Sequence, residues 1–310
     1  MLNLLALSAL ATFQASLTLK DIVPSGTHPT FVVGRLEFLE GPVWMPDNHL
    51  LFSDIKGDTI YKLIDGRAVP FIKPSHRAIG NALDPQGRLV SCHQESRSVT
   101  RREPNGSETV LADHFEGKRF NSPDDLVVRS DGTIYFTDPS FGLKESDREL
   151  PFDGVYKISP EGKVEVLLKD FNKPNGLAFS PNEKLLYIND TVKRQIRVFD
   201  VAPSGALSNG KLFALITGEM SGEANGMKVD ALGNVYCTAP GGIQIFSSDG
   251  KYIGLIFMRE AVSNFCFGSY DAKTLFITAG SSIFQLRVNV PGAPRRSATR
   301  RAVSASAQGG

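Results

Sequence analysis

Apolar residues in this chain come in short runs of four to six, set apart by polar turns, and the runs are paired. The same pairing recurs six times: EGPVWMPDNHLLFSDI from Glu40, IGNALDPQGRLVSCH from Ile79, DDLVVRSDGTIYFTD from Asp124, NGLAFSPNEKLLYIND from Asn175, NGMKVDALGNVYCTA from Asn225 and NFCFGSYDAKTLFITA from Asn264. Runs rich in β-branched and aromatic residues, as in LLFSDI and TIYFTD, predict strands buried on both faces. Paired strands recurring every 39 to 51 residues predict a toroidal repeat, because one hairpin cannot bury its apolar face without neighbours.

The turns support that reading. PDN at 46–48, PQG at 85–87, SDG at 130–132, PNE at 181–183 and ALG at 231–233 carry Asn or Asp to cap the turn backbone or Gly to take positive φ. Second hairpins such as GVYKISPEGKVEVLL and GIQIFSSDGKYIGLI follow the first. The expected fold is therefore all-β, a six-bladed β-propeller with four-stranded blades around a central channel. Ring closure removes exposed sheet edges, and residues 17–36 are placed to supply the outer strand of the last blade. The expected propeller spans 17–290.

Composition narrows the picture only slightly. A net charge of +1 over 310 residues gives no ground for a nucleic-acid partner. Cys92, Cys237 and Cys266 each fall in an expected strand and read as small buried apolar residues. Residues 1–16 are apolar, with Ala9-Leu10-Ala11 as a cleavage signature but no basic residue ahead of it. They read either as a signal peptide, which would make the protein secreted, or as a strap on a cytoplasmic ring. The run is too short for a stable membrane span. Residues 291–310 carry four arginines among Ser, Ala and Gly and read as a disordered basic tail. A small-molecule substrate and a monomer or weak homodimer are expected.

The repeat also aligns six residues at the starts of the inner strands: Glu40, Ile79, Asp124, Asn175, Asn225 and Asn264. In a propeller these face the channel from one end. Five of the six carry oxygen, and oxygens converging on an axis are costly without a cation to satisfy them. All-oxygen ligation favours Ca2+, with Mg2+ second; a hydrated polar channel is the alternative. Fourteen or fifteen residues later a second set appears: Asp54, His93, Asp138, Asp190, Ala239 and Ala279. These would orient the ligands or hold a proton, with His93 as a catalytic candidate and a structural role as its alternative, and Asp138 at the substrate pocket or capping a turn. Ile79, Asn264 and Phe141 complete the expected pocket. Segments 66–78, 93–122, 139–154 and 215–224 are the expected rim, with Phe152 and Met220 as further candidates.

LEGPVW at 39–44, GKRFNSPDD at 117–125, FTDPSFG at 136–142, PNGLAFSP at 174–181, YINDT at 187–191 and APGGIQIFSSDG at 239–250 together resemble the gluconolactonase family that includes senescence marker protein 30 (regucalcin). The resemblance covers about residues 30–290. It implies a six-bladed propeller with one divalent cation, usually calcium, and lactone hydrolysis, with organophosphate cleavage in related members. By this resemblance Glu40 and Asn175 are metal ligands. Two positions depart from the family's pattern. Asp124 stands where the family usually has asparagine, and Asn225 where it has the aspartate that is both ligand and proposed base. Asn225 keeps a carbonyl oxygen for a metal but cannot take a proton. The formal charge of the ring is unchanged.

These features rank the functions. Foremost is metal-dependent hydrolysis of a lactone or related ester, with the metal held by Glu40, Asp124, Asn175 and Asn225, Asp124 as the base and Glu40 mainly a ligand. A GxSxG nucleophile motif is absent, which argues against a serine esterase. The alternatives are isomerisation, cyclisation or phosphotriester cleavage in the same pocket, and a non-enzymatic calcium-binding propeller.

Overall fold

The computed structural model describes residues 17–294. The expected leader or strap at 1–16 and the tail from 295 onwards lie outside them. Six antiparallel four-stranded sheets form the body of the protein. The first blade runs, from axis to rim, through Leu39–Trp44, Leu50–Asp54, Thr59–Ile64 and Arg67–Ile72. The inner strands of blades two to six are Ala78–Leu83, Leu126–Val128, Pro174–Phe179, Met227–Val229 and Val262–Gly268. Each touches the inner strand on either side, and the sixth returns to the first, so the ring closes. The expected six-bladed all-β propeller is the observed fold.

The last blade takes its outer strand, Thr30–Val33, from the N-terminal segment, which pairs with Ser282–Arg287. Ahead of it a single helical turn, Leu19–Ile22, is tied down by the Asn289 N–H donating to the Ile22 carbonyl. At the other end Ala293 N–H still donates to Val229 O. The chain is thus bound to blade five three residues beyond the expected end of the propeller at 290.

The core is divided among the blades. The apolar side chains form six layers, each trapped between two adjacent blades. Val43, Leu51, Ile60, Ala78 and Leu89 fill the layer between blades one and two. Tyr135, Val155, Leu177, Leu186 and Phe199 fill that between three and four. Leu39, Phe52, Phe276 and Ile283 close six against one, where Trp44 stacks on Phe276 at 5.2 Å. Each such side chain contributes roughly 1.5–3 kcal/mol on burial, which is why strands with both faces covered read as continuous apolar runs. Cys92, Cys237 and Cys266 lie in three of these layers, as expected.

At the channel the layers give way to backbone contact. Gly80 N–H donates to Asp124 O at 2.9 Å, Gly176 N–H to Asn225 O at 2.9 Å and Gly226 N–H to Ser263 O at 3.0 Å. The glycine that follows the ring residue is what permits this approach. A Cβ on Gly176 would overlap the Asn225 carbonyl, and one on Gly41 the Ile79 carbonyl. Gly176→Ala is expected to destabilise the protein by about 1–3 kcal/mol, the usual cost of overpacking, read as a fall in Tm; an unchanged Tm would refute the tight seam.

Candidate functional site

The stitched ends of the inner strands floor a cavity of about 550 Å³ at one mouth of the channel. Five of the six expected ring residues line it: Glu40, Ile79, Asp124, Asn175 and Asn225. The four expected metal ligands, spread over 185 residues of chain (225 minus 40), therefore meet in one place.

Their polar atoms are left over from the protein's own hydrogen bonding. Glu40 Oε2 accepts from Gly41 N–H at 2.8 Å and from Asn264 Nδ2 at 3.0 Å, which leaves Oε1 buried with no partner. Asn175 Oδ1 and Asn225 Oδ1 are likewise buried and unpaired. Among the described residues no donor holds the Asp124 carboxylate. An unpaired buried acceptor costs about 1–3 kcal/mol, so three of them together with a carboxylate make this floor rich in acceptors and short of donors.

The electrostatics agree. Burial pushes the Glu40 carboxyl up to about 7, although the Gly41 and Asn264 donors pull the other way. Asp124 is driven well above the ordinary carboxylate range by burial and then by the neighbouring charges of Glu40 and Asp125. Two buried carboxylates at one cavity floor repel each other unless a cation lies between them. Among the described residues no three His, Cys, Asp or Glu side chains gather as a metal site. The donor set is two carboxylates and two carboxamides, which suits a hard, oxygen-seeking ion such as calcium or magnesium.

Other expected site residues lie elsewhere. Asn264 does not line the cavity. The Gly226 N–H donates to Ser263 O, as its counterparts donate to Asp124 and Asn225, so Ser263 holds the sixth ring position and Asn264 the glycine position beside it. His93, expected at the chemistry, is 1% exposed. Its Nδ1–H donates to Ser75 O and its Nε2 accepts from the Thr100 hydroxyl, both at 2.8 Å, which leaves no nitrogen for a substrate. Burial also holds its pKa below the usual value, so it is neutral. Asp138 accepts from Asn121 N–H and Ser122 N–H at 2.8 Å and is fully buried. Asp54 does the same for Glu37 and Phe38, and Asp190 for Asn172. Four members of the second ring, Asp54, His93, Asp138 and Asp190, are thus clasps that pin the segment leading into an inner strand, whereas Ala239 and Ala279 have no polar side chain to do so. Phe141 lines the cavity as expected, whereas Phe152 and Met220 do not.

Residues 38–281 match the SMP-30/Gluconolactonase/LRE-like region. The chain belongs to this family. A gluconolactonase of Zymomonas mobilis is 33% identical over 88% of this chain and 85% of that relative. A solved gluconolactonase from Xanthomonas campestris superposes with a TM-score of 0.80 at 33% identity, covering 87% of this chain and 92% of the other. The calcium-binding protein regucalcin of Agrobacterium tumefaciens has the same fold, with a TM-score of 0.70 at 18% identity and coverage of 86% and 97%.

In this SMP-30/gluconolactonase-type chain the cavity wall also holds Arg77, Gln94 and Glu223, which fall within three of the expected rim segments, and Glu37, Phe38, Ile55 and Lys56, which pattern reasoning missed. Glu37 and Phe38, Arg77, and Glu223 stand two or three residues before a ring position. Ile55, Lys56 and Gln94 stand one or two residues after a clasp. The repeat register itself marks both places, since every inner strand is entered, and every second strand left, at the same mouth. Lys228, in the inner strand of blade five, is a further charge inside the ring. Its ammonium donates to Asn264 Oδ1 at 3.3 Å and favours the ionised form of Glu40 and Asp125.

Proposed function

We propose that this protein hydrolyses a lactone with a divalent cation, calcium foremost, held by Glu40, Asp124, Asn175 and Asn225. The observation that carries the proposal is the meeting of three unpaired buried oxygens and an unheld carboxylate on the floor of one cavity. Similarity to a gluconolactonase over most of the chain supports the lactone as substrate, and the calcium-binding neighbour of the same fold accords with the ion. When bound, the cation supplies positive charge that polarises the lactone carbonyl and stabilises the oxyanion.

The chain's own residues divide the remaining work. The Asp124 carboxylate, facing the cavity without a protein donor, accepts a proton from a water molecule. Glu40 is fixed through Oε2 and serves as a ligand. Ile79, Phe38 and Phe141 give the lactone ring an apolar seat, and Arg77, Gln94 and Glu223 offer hydrogen bonds to its hydroxyls. Hydroxide adds to the acyl carbon, the acyl carbon–ring oxygen bond breaks, the ring oxygen takes back the proton from Asp124, and a hydroxy acid leaves.

Chelation followed by gel filtration is expected to lower acid release from aldonolactones about 10²-fold or more, and added Ca2+ to restore it, since metal polarisation is worth several kcal/mol. Full activity after chelation would overturn the role of the ion. No acid release from any lactone would overturn the substrate class. Product mass separates the reactions further: hydrolysis adds one water, whereas rearrangement leaves the mass unchanged.

A further inference from the structure

Beneath the cavity floor lies a buried polar group that takes no direct part in the chemistry above. Asn264 is 1% exposed and does not reach the cavity. Its Oδ1 accepts from Phe265 N–H at 2.9 Å and from the Lys228 ammonium at 3.3 Å. With two donors on the oxygen, the amide has one favourable orientation. The flipped amide would aim its NH2 at an ammonium and its oxygen at a carboxylate. Nδ2 is therefore fixed toward the Glu40 carboxylate, where it donates to Oε2 at 3.0 Å, and the side chain also reaches Asp125. The Gly41 N–H takes the second place on the same oxygen. Glu40 is clamped through one oxygen only, and the other is left for the cavity.

We infer that Asn264, oriented by Lys228, is a positioning residue that turns Glu40 Oε1 toward the cation. The inference rests on the metal reading above, and assigns a task to a residue one step removed from the ion. Outer partners that orient a ligand are worth about 10- to 100-fold in metal affinity.

The test is calorimetric titration of ion-free protein with Ca2+ and no substrate. Asn264→Ser, whose hydroxyl falls short of Glu40, and Asn264→Leu are both expected to lower affinity about 10- to 100-fold. The Tm of the ion-free protein should change less than its rise on adding Ca2+. Wild-type affinity in either folded variant overturns the inference and leaves the metal reading intact. Absence of binding by the wild-type protein overturns both. A measurement that needs no variant is the side-chain amide spectrum of asparagine-¹⁵N-labelled wild-type protein. The Asn264 NH2 signals are expected to shift on Ca2+ addition although Asn264 is no ligand; signals that stay in place overturn the inference.

Discussion

Replacing Glu40 with glutamine is expected to weaken divalent-cation binding by about two orders of magnitude while leaving the ion-free protein as stable as before, or more so. Glutamine has nearly the same shape, and its amide oxygen can still accept from Gly41 N–H and Asn264 Nδ2. What it lacks is charge. The wild-type carboxylate is almost fully buried, and burial raises its pKa to about 7. Ionised, it carries a desolvation cost that Gly41, Asn264 and Lys228 offset only in part and that a bound cation would offset further. The neutral amide of Glu40→Gln removes that cost and the repulsion that pushes Asp124 up. Calcium affinity follows the number of charged ligands, so loss of one of two carboxylates should be large. Titration calorimetry gives the affinity and calorimetric melting the stability. A variant that binds Ca2+ like the wild type, or one that loses stability and affinity together, would mean that Glu40 is a structural residue.

Much of this site was legible because the fold repeats. A single aligned column predicted Glu40, Ile79, Asp124, Asn175 and Asn225 on one floor, and all five line it. The sixth column failed by one residue for a local reason. Four copies mark the register with a glycine after the ring residue, but the last has Val262-Ser263-Asn264, with no glycine to show where the strands meet. The Gly226 N–H to Ser263 O bond reveals it. His93 was misread because a sequence shows that an imidazole is present but not that Ser75 and Thr100 occupy both nitrogens. Lys228 was invisible for a similar reason. Within MKV it reads as the outward residue of an alternating strand, yet in a ring of inner strands it meets Asn264 from the neighbouring blade.

The division of labour between the carboxylates follows from their surroundings. Glu40 and Asp124 carry the same charge, but one is held and the other is not. Two donors fix Glu40 Oε2. Asp124 is anchored by its backbone alone, with its N–H donating to Thr137 O and its carbonyl accepting from Gly80 N–H, both at 2.9 Å. A side chain gripped by donors is a poor proton acceptor and a well-aimed ligand. One with free oxygens, buried beside the charges of Glu40 and Asp125, has the opposite character.

Asp124→Asn should therefore reduce kcat by about 10²- to 10⁴-fold at saturating Ca2+, the scale of general-base catalysis. Asparagine retains a carbonyl oxygen for the ion but cannot take a proton at cavity pH. The backbone bonds that seat residue 124 do not involve its side chain, so the fold and the seam with Gly80 should survive. Saturating ion matters because the lost charge will also weaken Ca2+ binding, and that contribution has to be removed before kcat is read. With the ion site filled, the contrast with Glu40→Gln becomes diagnostic: added Ca2+ should recover much of the Glu40→Gln activity and little of the Asp124→Asn activity. Recovery of Asp124→Asn to wild-type turnover at high Ca2+ would show that Asp124 only binds the ion. The proton would then have to go to another group at the cavity wall, with Glu223 and Glu37 the remaining carboxylates that line it.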